Sequence, residues 1–172
     1  MSIANAASTF YTAATKAWLI SAGAILILEI ARPFSGDGCT FNLLILFITL
    51  ALFYYAACRA PHLFTSETRP KTHFIGGLVC LTAWSVTFAA LNTLSSLIAL
   101  KRDLFYLGTD PFFVTDISPG AAPYTSVTPF VASMESSNLA LTFAVHLTCL
   151  AAIAALGLFL GTFQASKSPH RF

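Results

Sequence analysis

The chain has 172 residues, 56% of them apolar and only 9% charged, where a soluble domain carries about 25% charged residues. That composition excludes a soluble globular domain and describes a one-domain integral membrane protein. A formal net charge of +2 is too small to suggest a nucleic-acid partner, and the four cysteines, Cys39, Cys58, Cys80 and Cys149, form no C-x-x-C pair, so neither a disulfide scaffold nor a metal site is expected.

The N-terminal stretch MSIANAASTFYTAATKAWLIS is rich in Ser, Thr and Ala and has no acid, but a single Lys16 and no Arg make a poor transit peptide. Its apolar run continues to Ile30 and meets Glu29, Arg32 and Pro33, which fits a retained first span better than a cleaved signal. Span 1 is therefore placed at about 12–31, with Lys16 snorkelling and Trp18 at the same interface, and Pro33, Gly36 and Gly38 ending it. Span 2 runs over about 41–58, with Tyr54 and Tyr55 where an aromatic belt belongs, and Arg59, Pro61 and Pro70 turn the chain back. Span 3, Phe74 to Leu100, is 27 residues without a charged side chain. As a helix it reaches roughly 40 Å, against a hydrocarbon thickness of about 30 Å. A loop over 101–138 follows, with Pro111, Pro119, Pro123 and Pro129 among apolar and aromatic residues. It reads as a partly ordered cap or a contact surface. Span 4 covers about 139–163 and leads into a basic tail, Lys167 to Arg171. The expected fold is all-α: a single domain, 1–172, forming a four-transmembrane-helix antiparallel bundle with one longer non-cytoplasmic loop between helices 3 and 4.

The distribution of Lys and Arg sets the expected orientation. Six of them (Lys16, Arg59, Arg69, Lys71, Lys167 and Arg171) share one side, against three (Arg32, Lys101 and Arg102) on the other. Both termini are thus expected in the cytoplasm.

Polar groups inside a membrane are functional suspects, because each is costly in lipid unless paired. Three stand out. With span centres at Thr87 and Ala151, Asn92 and His146 each lie about 7.5 Å toward the outer side by the helical rise. Glu29 sits about a turn inside the outer end of span 1, within reach of His146, Arg32 or water. A buried network of Asn92, His146 and Glu29 follows, either an interhelical packing device or a proton or ligand site. Two axial histidines at one depth, as haem would need, are not present, since His62 and His73 fall in the turn and His170 in the tail. No nucleophile and orienter accompany His146. No catalytic residue, cofactor or metal ligand is predicted, and the protein is expected not to be an enzyme.

Span 4 carries Gly157 and Gly161 in a G-x-x-x-G arrangement, which permits close backbone approach. These are expected to pack span 4 against span 1 or 3 within the monomer, or to form a homodimer face. Cys58, beside Arg59 at the cytoplasmic end of span 2, has the placement of a lipidated juxtamembrane cysteine, or of an inert buried thiol.

From span 2 into span 3, LALFYYAACRAPHLF leads through a short basic turn with Pro70 and Lys71 to LVCLTAWSVTFAALNTL. In that texture, with Trp84, Ala89 and Ala90 on span 3, and in the layout of four spans with a short first outer loop and a longer second one, the chain resembles fungal MARVEL-domain proteins. It departs from them where span 3 has Cys80 to Thr82 in place of an acidic residue, and in having no Cys pair in the second outer loop. The resemblance implies a non-enzymatic role in organising membrane domains, in membrane apposition or in vesicle traffic, with membrane lipids as partners and self-association or a larger complex as further expectations. It also favours the plasma membrane or endomembranes over the mitochondrial inner membrane. An accessory subunit of a larger complex, such as a respiratory one, and a small proton-coupled transporter are the alternatives.

Overall fold

The computed structural model describes residues 3–35, 37–60, 70–102, 110–114 and 138–167. Five helices account for nearly all of these: α1 (Ile3–Thr12), α2 (Thr15–Ser35), α3 (Gly38–Arg59), α4 (Pro70–Arg102) and α5 (Leu139–Lys167). Four of them, α2 to α5, are long and apolar enough to cross a membrane. The turn at 61–69, the basic tail beyond Lys167 and most of the expected cap, 103–109 and 115–137, lie outside the described residues.

The bundle is turned inside out relative to a soluble one. Large apolar side chains such as Ile20, Ile27, Ile30, Phe34, Phe47 and Phe159 are about two-thirds exposed or more, while Arg32, Asn42, Thr49, Ser96, Thr142 and His146 are buried. A lipid environment removes the penalty on the former and makes burial of the latter obligatory.

Consecutive spans run in opposite directions, but the lateral order is not sequential. α2 lies beside α3 and α4, and α5 beside α3 and α4, so α3 and α5 are parallel neighbours, as are α2 and α4. The α3–α5 seam is the most extensive and rests on two glycines. A Cβ at Gly157 would stand 2.6 Å from the Leu50 carbonyl oxygen and 3.0 Å from Phe53 Cβ, and one at Gly161 would collide with the Tyr54 carbonyl and sit 2.7 Å from Ala57 Cβ. The glycine face of span 4 thus meets span 2, not span 1 or 3. All four spans are apolar all round, so nothing in their periodicity told one neighbour from another.

The first span also differs from expectation. α1 precedes it and packs alongside the start of α4, where Gly76 meets the Ala6 backbone and Phe10 reaches the His73 ring. The break between α1 and α2 has a local cause. Thr9, Thr12 and Thr15 each bond back to the carbonyl four residues earlier, and the Ala14 N–H reaches only to Tyr11, a tightened turn. Beyond it, α2 continues through Pro33 to Ser35, not stopping at Ala31. Asp37 then caps α3, its carboxylate accepting from Thr40 N–H at 3.0 Å.

Trp18 belongs to the core, not to the interface. It meets Phe53 and Trp84 edge-on at 5.2 Å each, Trp84 continues to Phe88 at 4.3 Å, and Trp84 Nε1 donates to Thr49 Oγ1 at 3.2 Å. This aromatic plug fills the middle of the bundle. Tyr54 and Tyr55 stay on the surface, with the Arg59 guanidinium over the Tyr55 ring.

Candidate functional site: a buried ionic layer

The polar residues gather at the end of the bundle where α2 turns into α3. Pro33 starts the arrangement. It has no N–H to give the Glu29 carbonyl four residues back, and in lipid that oxygen must find another donor. Ser95 of α4 supplies it, Oγ to carbonyl oxygen at 2.7 Å. One proline therefore ties α2 to α4.

Three residues on, the same helix face presents Arg32, whose side chain is fully buried. Its guanidinium lies along the Glu29 carboxylate, with Nη2 to Oε1 and Nε to Oε2 both 3.2 Å. Nη1 donates to Ser96 Oγ at 3.0 Å and stands 3.6 Å from Asp110 Oδ2. Asp110 comes from the 110–114 segment between α4 and α5, and it is 2% exposed. Its Oδ1 accepts from Asn42 Nδ2 at 2.7 Å and from Phe112 N–H at 3.0 Å, while Oδ2 accepts from Ser96 Oγ at 3.0 Å. α2, α3, α4 and the segment before α5 thus converge on one carboxylate.

Glu29 and Asn92 are brought together. With the Asn92 amide oriented so that its nitrogen faces the nearby acceptors, it donates to Glu29 Oε1 and to the Phe88 carbonyl at 3.1 Å. His146 is buried at the same end, but not on Asn92 or Glu29. Its Nδ1 pairs with the Thr142 carbonyl at 2.9 Å and its ring meets Phe112 edge-on at 5.6 Å. Thr142 in turn accepts the Val114 N–H at 2.9 Å, and the Asn138 N–H bonds the Val114 carbonyl, so 110–114 is stitched to the start of α5.

Sequence reasoning counted Arg32 among the outer charges and named it only as one of three possible partners of Glu29, and it did not place Asp110 in the layer. Arg32 did carry a signal: it lies three residues from Glu29 on a helix, the spacing of an ion pair. Asp110 had none in its own spacing, being reached through a loop. Cys58 is half-buried with Sγ 3.5 Å from the Gly161 carbonyl, so the thiol points along the α3–α5 seam.

Losing one partner of such a group would leave an uncompensated buried charge, a penalty of about 3–5 kcal/mol. The layer is thus a strong clasp against separation of its members, if a weak source of net stability. No family model, curated protein or solved structure matches the chain.

Proposed function

We propose that this protein is a non-enzymatic organiser of membranes, MARVEL-like in kind, acting in lipid-domain assembly, membrane apposition or vesicle traffic. The observation that carries this reading is how the polar groups are used. Glu29, Arg32, Asn42, Ser96 and Asp110 are consumed largely by one another, and at mid-depth Trp18, Phe53, Trp84 and Phe88 pack edge to face. Such a bundle offers lipid a broad apolar surface and fills its interior at that level with aromatic rings. Its effect on the membrane is then exerted through its outside, on lipids, on copies of itself or on partner spans.

On this reading both termini face the cytoplasm, in the plasma membrane or an endomembrane. The six-to-three Lys/Arg bias supports the orientation. The discriminating experiment combines the location of the tagged protein with its size on native gels in mild detergent. Residence in plasma membrane or endomembranes, with variable, lipid-dependent assemblies, is expected. A fixed stoichiometric set of partners in mitochondria would refute the organiser and identify an accessory subunit.

A further inference from the structure

The seam between α2 and α4 is closed at both ends and open in between. At the ionic layer Ser95 bonds the Glu29 carbonyl and the Asn92 amide reaches the Glu29 carboxylate. At the opposite end α1 lies across α4: a Cβ at Gly76 would collide with the Ala6 carbonyl, and the Cys80 thiol donates to the Ala7 carbonyl at 3.7 Å. Between the two closures runs a groove of about 280 Å³, near the lower limit of about 300 Å³ for small-molecule pockets.

Gly76, Cys80, Ala83 and Thr87 follow one another at steps of four, three and four, so they form one stripe of α4. α1 covers the beginning of that stripe and leaves the rest to the groove. The floor is the edge-on pair Trp18 and Trp84, both buried, with 5.2 Å between their rings, and small side chains, Ala22 and Ala83, leave the space above it. Tyr11, stacked on Trp18 at 5.9 Å, stands at the α1 end. With Thr87 at the centre of span 3, the α4 side of the groove runs from the membrane midplane to about 10 Å from it, toward α1, by the helical rise. It therefore opens sideways onto hydrocarbon, not onto headgroups.

We propose that this groove is a lipid site that holds one acyl chain of a phospholipid from the leaflet on the α1 side, with the methyl end of the chain toward Thr87. Depth sets the chemistry of the occupant: hydrocarbon is what a bilayer presents there, and an empty groove would deprive its lining of dispersion contacts. Shape sets the kind of hydrocarbon. α1 stands between the groove and the headgroups, so an occupant anchored at the interface has to bend around α1, which a flexible chain does and a fused ring system does not. A span of a partner or of a second copy is about 10 Å across and needs a groove open at its ends, whereas α1 and the Ser95–Glu29 contact shut this one. The bound chain fills the wall between α2 and α4 where no side chain does. Nothing in this depends on the organiser reading above.

Trp18 and Trp84 are the protein's two tryptophans, so its fluorescence reports on the groove floor. The test reconstitutes the full chain in phosphatidylcholine vesicles in which a rising share of the lipid carries bromine, a contact quencher, on both chains near their methyl ends. One chain at contact makes the fluorescence fall in direct proportion to the brominated share, whereas a loose shell of several lipids makes it fall as a higher power. The proportional fall is expected, with weaker quenching by bromine placed near the headgroup. Ala83→Phe, at an exposed position, fills the groove and should reduce the quenching at least about twofold by removing the chain's contacts, while Ala51→Phe on the exposed side of α3 should leave it unchanged. Ala22→Ile takes the place of Ala83→Phe if that variant does not fold. The proposal is overturned by quenching that follows a higher power, by equal quenching in the filled variant and the wild type, or by stronger quenching from bromine near the headgroup. It is also overturned if added sterol relieves the quenching, which would assign the groove to a ring system, or if diluting the protein in lipid increases it, which would assign the groove to a second copy.

Discussion

Replacing Gly157 by alanine probes the α3–α5 seam with one methyl group. The added carbon would lie 2.6 Å from the Leu50 carbonyl oxygen and 3.1 Å from the Tyr54 nitrogen, both backbone atoms that cannot rotate away, and 3.0 Å from Phe53 Cβ. Ordinary contact begins at 3.4 Å, so α5 must withdraw from α3 by about 0.8 Å at that point. Overpacking of this kind costs about 1–3 kcal/mol, less whatever the better helix propensity of alanine returns, about 0.8–1 kcal/mol. Gly157→Leu should loosen the bundle further. Gly161→Ala is at least as damaging, since its methyl would collide with the Tyr54 carbonyl, and the double variant should fall short of additivity because both act on one seam. Gly23→Ala is the internal control: nothing lies within 4 Å of its Cβ, so only the propensity gain remains. The assay is reversible unfolding in mixed micelles titrated with a denaturing detergent, followed by the fluorescence of Trp18 and Trp84, which lie in the core. If Gly157→Ala and Gly161→Ala proved as stable as Gly23→Ala, the close backbone approach of α3 and α5 would be wrong.

Four other outcomes can be checked. Arg32→Met strands two buried carboxylates and should destabilise by about 3–5 kcal/mol, whereas adding Glu29→Gln and Asp110→Asn to it should restore most of the loss in the same unfolding assay. Asn92→Leu and Thr49→Val each delete an interhelical hydrogen bond and should cost about 0.6–2 kcal/mol, with native size unchanged on gels. The Asp37 carboxyl is held below its ordinary value of 3.8 by its bond to Thr40, so its contribution is present above that pH and fades as pH falls below it. The stability gap between wild type and Asp37→Ala should therefore be flat from neutrality down to about that point and narrow only in stronger acid. For orientation, cysteine placed at Ser118 should react with an impermeant reagent on intact cells and cysteine at Ser66 should not; the reverse pattern would invert the topology.

What could be read from the sequence depended on whether a residue's position follows from helix geometry. Spans 2 to 4 were legible because long charge-free runs admit one solution in lipid, and their limits fall within a few residues of α3, α4 and α5. The depth of Asn92 and His146 follows from the rise per residue, which locates a side chain along an axis but says nothing about rotation around it. They lie at one end of the bundle, yet Asn92 turns to Glu29 and His146 to Thr142. Pro33 misled in a specific way. It was read as the end of span 1, which left Arg32 at the outer end among the outer charges, whereas in the last turn a proline only withdraws one donor, and Ser95 replaces it. Asp110 was out of reach because a loop has no fixed rise, so no count of residues could bring it back into the bundle. There was still a physical argument for it. An arginine three residues beyond a glutamate on an apolar helix has more donors than that carboxylate can satisfy, and buried guanidinium hydrogens demand further acceptors. Ser96 and a second carboxylate answer that demand, and the only described acid outside the helices and the α2–α3 turn is the one that does so. Reading Arg32 as buried would therefore have sent the search for its partner into the loop after span 3, which is where the chain's fourth connection to the ionic layer is made.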